Sequence, residues 1–252
     1  MKINPIPAQN SLSVVIPVYN EVETIANVIE ALLKLPELLE IVVVNDGSQD
    51  GTDKVLDQLA EQYPPLKVVH HPLNRGKTAA LKTGFRLTEG AIVIVQDADL
   101  EYDPQEIPEV ISPILQGKAD VVYGSRFLVR KAARVLYFYH FLANKFLTFL
   151  SNLLTNVNMT DVETCYKAFR GEIIRNMIIE SKGFGFEIEV TAKVAKLNCR
   201  IYEVPISYYG RTYEEGKKIG MKDGIQAIGY IIYYNCFRSV KSSFKSYPES
   251  PR

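Results

Sequence analysis

Cysteine is scarce. Cys165, Cys199 and Cys236 are the only three in 252 residues, with no C-x-x-C spacing, so a zinc site or a disulfide framework has no support. A reducing compartment is the economical expectation. Residues Met1 to Asn10 carry one Lys, two Pro and no apolar run, so no signal peptide is expected. No uninterrupted apolar stretch reaches the roughly 18 residues of a spanning helix. Net charge is missing too, since 29 Lys and Arg balance 29 Asp and Glu. What is present is ordinary for a folded protein: 47% hydrophobic and 23% charged residues exclude disorder and collagen. At roughly 100–200 residues per domain, the length suits one large α/β domain or two small ones.

The zero net charge conceals a division. Residues 1–120 hold 18 acids against 9 bases, and residues 121–252 hold 11 acids against 20 bases. No acid lies between Asp120 and Asp161, where Arg126, Arg130, Lys131, Arg134 and Lys145 stand. Such a basic surface attracts phosphate, lipid headgroups or nucleic acid, unless its acids lie nearby in space.

Short β-branched runs at Leu12–Val18, Glu40–Val44, Lys67–His70 and Ala91–Gln96 read as buried strands. Between them Glu21–Leu35, Asp50–Gln62 and Gly76–Glu89 carry helical spacing. The alternation predicts an α/β fold with a mainly parallel sheet, helices on both faces, and ligand loops at the carboxyl ends of the strands. Asp120–Tyr123 reads as a fifth strand. Further on come an apolar segment from Val135 to Leu154, strands at Tyr166–Arg170 and Arg200–Val204, and helices at Phe186–Lys196 and Ile225–Phe237. The chain divides into an extension at 1–11, a single domain at 12–237 (halves 12–125 and 126–237), and a basic tail at 238–252 expected to be disordered.

Two nucleotide motifs are excluded. The loop after the first strand, PVYNE, has no glycine for a pyrophosphate turn, and Gly76-Lys77-Thr78 has His71 where a triphosphate loop needs glycine. The strand ends carry instead Pro17-Val18-Tyr19-Asn20-Glu21, Asn45-Asp46-Gly47-Ser48, Asn74-Arg75-Gly76-Lys77 and Asp97-Ala98-Asp99-Leu100-Glu101. In extended chain Asp97, Asp99 and Glu101 project to one side. Three carboxylates so placed repel unless a cation joins them, and oxygen-only ligands suit Mg²⁺ or Mn²⁺, which keep places for phosphate oxygens. The alternative is that Asp97 caps a turn while Asp99 and Glu101 face solvent. Asp46, just beyond its strand, is placed to accept hydrogen bonds from a ligand; Ser48 or Asp50 is expected to be only a cap. Lys77 is either a surface residue or, at a helix start unfavourable to a cation, the neighbour of an anion. His70, His71 and His140 read as structural.

In this order the motifs PVYNE, NDGS, NRGK and DAD-x-E resemble glycosyltransferase family 2, whose members have the nucleotide-sugar-binding GT-A fold. Gly124-Ser125-Arg126, Thr160-Asp161 with Cys165-Tyr166-Lys167-Ala168-Phe169-Arg170, and Arg211 with Gly216-Lys217-Lys218 look like its dolichol-phosphate mannose synthase branch. The likeness covers residues 12–220. It departs at Asn45, where many relatives carry Asp, and in lacking the spanning helices that some relatives append. The resemblance implies that Pro17, Tyr19, Glu21 and Asp46 hold the base and ribose of a GDP- or UDP-sugar. It implies that Asp97, Asp99 and Glu101 hold Mg²⁺ or Mn²⁺ and the diphosphate, with Lys77 near the nucleotide. Arg126, Arg211 and Lys217 would face phosphates, and Asp99, Asp161 and Arg126 would stand at the reacting centre. The implied activity is inverting transfer of a sugar to a polyprenyl or dolichyl phosphate.

His140, Asn144, Thr148, Asn152 and Asn156 recur every four residues in the apolar segment, so they form one helical stripe amid Phe, Tyr and Leu. Preceded by basic residues, this suits a helix lying in a membrane interface on the cytoplasmic face. The alternative is a helix in the core, in a homodimer interface or against a membrane-protein partner. Two rival functions remain: transfer to a saccharide hydroxyl, with Asp161 as general base, and a non-catalytic nucleotide- or membrane-binding relative. Nucleic acid is not expected, because no nucleic-acid motif accompanies the basic residues.

Overall fold

The structure is a computed structural model that describes residues 6–128, 134, 137–211 and 220–246. Strands β1 (Leu12–Val18), β2 (Leu38–Asn45), β3 (Leu66–His70) and β4 (Ile92–Val95) alternate with helices α1 (Ile25–Leu32), α2 (Thr52–Gln62) and α3 (Lys77–Leu87). The side chains of Ile41, Val42, Val43 and Val44 are wholly inaccessible, as expected of a strand covered on both faces. Helix α3 lies close on β1 because Gly84 has no side chain: a Cβ there would stand 2.4 Å from Val15 Cγ1.

A 3₁₀ turn (Pro104–Glu106), α4 (Ile107–Leu115), β5 (Val121–Ser125), α5 (Phe138–Thr155), β6 (Lys167–Arg170), α6 (Gly171–Asn176), α7 (Phe186–Lys196), β7 (Ile201–Pro205), α8 (Met221–Cys236) and α9 (Val240–Ser243) follow. The seven strands form one sheet in the order β3-β2-β1-β4-β6-β5-β7. It is mainly parallel; β6 alone runs antiparallel to both neighbours, β4 and β5. Val18 pairs with Asn45 and Asn45 with His70, while Val15 pairs with Val95. This register brings the carboxyl ends of β1 to β4 to one edge, where all four motifs gather.

The expected disorder of the tail is corrected for residues 238–246. Phe244 pairs with Met177 and is buried, with the α9 turn capped by Ser239, because the main core leaves an apolar place for its ring. The rest of the tail lies outside the described residues. Helix α4 carries three prolines in or just before it, which hid its apolar spacing. Pro104 and Pro108 occupy first-turn positions, where a missing N–H is harmless.

The polar stripe of α5 faces the protein. Thr148 Oγ1 accepts from Val162 N (3.2 Å), and the Asn152 side chain accepts from Met159 N (3.1 Å) and donates to Met159 O (2.7 Å). The helix is therefore not buried in the core: Phe138, Tyr139, Leu142, Phe146, Phe149 and Leu153 point outward and are exposed. A smaller apolar cluster of Leu147, Val162, Ile188, Ala227 and Ile231 joins α5 to α7 and α8. Among the described residues no helix is long and apolar enough to cross a membrane.

Candidate active site

At the shared strand edge lies a cleft of about 340 Å³. Its walls include Pro17, Tyr19, Glu21, Asp46, Lys77, Asp97, Asp99, Glu101 and Arg211, nine of the residues expected at the site. Arg126 and Asp161 do not line it. Lys217 lies outside the described residues, as do Arg130 and Lys131 of the basic stretch.

Asp46 behaves differently from expectation. Its carboxylate accepts from Arg75 N (3.0 Å to each oxygen) and Gly76 N (2.7 Å), and it pairs with His71 Nδ1 at 2.7 Å. Its oxygens thus hold the 74–76 loop in place, which leaves little capacity for a ligand. Gly76 adopts φ +88, a left-handed conformation that lets its N–H turn towards Asp46 and opens α3 at Lys77. His71 is structural, as expected, and also reaches Thr83 Oγ1 at 2.9 Å. Ser48 and Asp50 secure the chain after β1, accepting from Asn20 N (2.9 Å) and Val22 N (3.1 Å). Those bonds delay α1 to Ile25 instead of Glu21.

Lys77 is not a loose surface residue. Its ammonium stands 2.9 Å from Asp97 Oδ1 and 3.2 Å from Glu187 Oε1 on α7. Burial opposes its charge, but Asp97 and Glu187 outweigh that and hold its pKa well above the ordinary lysine value.

The DAD-x-E segment is not extended. The chain turns after β4, and Leu100 has φ +59, so the three acids take separate partners. Asp97 meets Lys77. Glu101 accepts from Tyr208 Oη and Arg211 N, both at 2.7 Å. The Asp99 carboxylate accepts from Glu101 N (3.2 Å), and burial, then Asp97 and Glu101, push its pKa up to about 7. The expected three-acid metal set is therefore corrected: among the described residues no three acidic, histidine or cysteine groups are placed to share an ion. Asp97 and Asp99 still fit a divalent cation, because the repulsion that raises Asp99 is what a cation would relieve.

Arg211 spans the cleft, donating to Glu21 (3.0 and 3.3 Å) and to the backbone oxygen of Asp99 (2.8 Å). Arg126 and Asp161 form a buried two-pronged pair, with both N–O distances 2.7 Å. The guanidinium lies 5.0 Å from the ring of Tyr208, which separates the pair from the cleft. Glu203 on β7 fixes this corner by accepting from Thr160 N (2.9 Å) and Asp161 N (3.3 Å).

Sequence reasoning missed Phe184 and Tyr208 in the cleft wall, and Glu187 behind Lys77. Gly183-Phe184-Gly185, two glycines around an aromatic just before a helix, was a readable signal. Tyr208 had none.

Residues 13–178 match the sequence model of glycosyl transferase family 2. Undecaprenyl-phosphate mannosyltransferase of Micrococcus luteus is 32% identical over 216 residues, 82% of this chain and 86% of that protein. Polyprenol monophosphomannose synthase of Mycolicibacterium smegmatis is 31% identical over 221 residues, 85% of this chain and 83% of that protein. Among solved structures, glucosyl-3-phosphoglycerate synthase from Mycobacterium tuberculosis with UDP superposes with TM-score 0.69 at 21% identity, over 89% of this chain and 79% of that one. The same synthase with Mn²⁺, UDP and phosphoglyceric acid gives TM-score 0.67 at 22% identity, over 91% and 80%. The fold of this chain is accordingly of the GT-A type. Ordered motifs around one cleft, together with these matches across most of its length, establish that the chain belongs to glycosyl transferase family 2.

Proposed function

We propose that this chain is an inverting, metal-dependent glycosyltransferase that moves a sugar from a GDP- or UDP-linked donor to a polyprenyl phosphate. The observation that carries the reading is the cleft itself, where Lys77, Arg211, Asp97 and Asp99 converge at the strand ends of a family 2 chain. The similarity to an undecaprenyl-phosphate mannosyltransferase and a polyprenol monophosphomannose synthase supports a polyprenyl acceptor and a mannosyl donor. The crystal structure of the M. tuberculosis synthase in complex with Mn²⁺ and UDP supports a metal accompanying the nucleotide.

In this reading Pro17 and Tyr19 hold the base and ribose, with the Asp46-braced loop closing that wall. Asp97 and Asp99 would hold Mg²⁺ or Mn²⁺, which when bound supplies positive charge to the leaving diphosphate. Lys77 turns from Asp97, and Arg211 from Glu21, towards phosphate oxygens, and together they keep two anions in place. An acceptor phosphate oxygen is already anionic at pH 7, so no residue has to deprotonate it. That oxygen bonds to the anomeric carbon as the bond to the nucleoside diphosphate breaks, and attack opposite the leaving group inverts the carbon. The saccharide-hydroxyl alternative is disfavoured, because Asp161, its general base, is fully buried and clamped by Arg126.

The acceptor's surroundings are supplied by α5 and α8. Outward from α5 stand Tyr139 (82% exposed) and Phe149 (63%), and from α8 Ile225 and, just past its end, Phe237 (72%). This aromatic and aliphatic face suits the interfacial layer of a bilayer, with peripheral attachment on the cytoplasmic side.

The test is transfer of radiolabelled sugar from a panel of GDP- and UDP-sugars into organic-extractable lipid, with polyprenyl phosphate and Mn²⁺. Label in lipid, lost with EDTA and reduced at least ~100-fold in Asp99→Ala, is expected. Metal-dependent nucleotide binding without lipid labelling from any donor would reject the lipid acceptor.

A further inference from the structure

Glu187 has no role in donor or acceptor binding so far, yet it is a buried acidic group in direct contact with Lys77 of the cleft wall. It sits in the first turn of α7, buried to 4% exposure, and meets Lys77 from behind the cleft wall. Its Oε1 is 3.2 Å from the ammonium, while its Oε2 has no hydrogen-bond partner among the described residues. Asp97, on the other side of the same ammonium, is 2.9 Å away. Lys77 is therefore shared between a carboxylate at the cleft surface and one behind it.

This sharing matters when a divalent cation approaches, because cation and ammonium compete for Asp97. A buried ammonium that loses its only carboxylate is left uncompensated, which opposes metal entry. With Glu187 in place the ammonium keeps one partner and gains access to an unused acceptor oxygen.

We propose that Glu187 is a positioning residue that takes Lys77 over from Asp97, freeing Asp97 for the divalent cation that accompanies a nucleoside diphosphate. The inference rests on the metal-dependent donor binding proposed above. It also links α7, which packs on α5 and α8 through Ile188, to the donor cleft.

The experiment measures GDP and UDP binding by calorimetry across a MnCl₂ titration, with no acceptor present. In Glu187→Gln the Mn²⁺ concentration for half-maximal nucleotide binding rises ~3- to 10-fold. Glu187→Asp, which keeps the charge, returns it towards wild type. Glu187→Met serves as a second uncharged variant should the amide variant fail to fold. An unchanged Mn²⁺ requirement in folded uncharged variants, even with a lowered melting temperature, overturns the proposal and leaves Glu187 purely structural. Absence of nucleotide binding by the wild type at every Mn²⁺ concentration overturns the donor reading, and this proposal with it.

Discussion

The donor cleft and the α5–α8 face solve opposite problems. In the cleft every cation described has a carboxylate within reach: Lys77 has Asp97 and Glu187, and Arg211 has Glu21. Charge is balanced inside the chain, and a ligand enters by exchanging partners. On the helix face the polar stripe is satisfied inward by Val162 and Met159, while large apolar side chains are left to water. That surface gains stability only from something outside the chain. The contrast teaches that, in the proposed function, donor recognition is a matter of electrostatic exchange and acceptor access a matter of apolar contact.

The largest effect should come from breaking a buried pair. Arg126→Ala leaves Asp161 as an uncompensated buried charge and is expected to lower unfolding free energy by about 3–5 kcal/mol, measured by urea denaturation. Unchanged stability with lost transfer would instead move Arg126 into the reaction. Next, Phe146→Asp combined with Phe149→Asp removes two exposed rings from the helix face. Burial of such side chains contributes roughly 1.5–3 kcal/mol each, so co-sedimentation with anionic vesicles should fall at least ~10-fold. GDP or UDP binding should not change; if it does, the two regions are not separable.

The smallest effect concerns Asp99 in metal-free protein. Its pKa of about 7 in the fold exceeds an unfolded value near ~3.9, so the native state holds the extra proton between those values. Stability therefore falls as pH rises from about 4 to 7. Asp99→Asn should raise the melting temperature in EDTA at pH 8 by at least about 2–4 °C, the shift made by ~1 kcal/mol in a domain of this size. The gain should vanish at pH 4; a gain independent of pH would reject the electrostatic origin.

Much of this was legible. Strands β1, β2 and β4 were readable because both their faces are buried, and the half-exposed edge strand β3 by its short β-branched run; α7 lies where a helix was expected although Phe186, Ile188, Val190, Ala192 and Val194 alternate as in a strand. Helix α4 was hidden by its prolines, and residues 238–246 by a polar composition that gave no hint of the place waiting for Phe244. The cleft's membership was readable from motif order, but its geometry was not. Asp46 meets backbone N–H groups of the 75–76 loop, which carry no side-chain signal. The DAD-x-E acids part company because Leu100 takes a left-handed conformation that no motif announces.

The sequence alone determined the alternation of strand and helix, the family and the gathering of acidic motifs at strand ends, since these follow from local periodicity and residue type. Only the tertiary structure decided which charge meets which. Lys77 and Asp97 are 20 residues apart, Arg126 and Asp161 35, and Arg211 and Glu21 190. Such pairings depend on how strands are ordered and helices seated, and an ion pair is defined by ångströms of separation, which residue order does not encode.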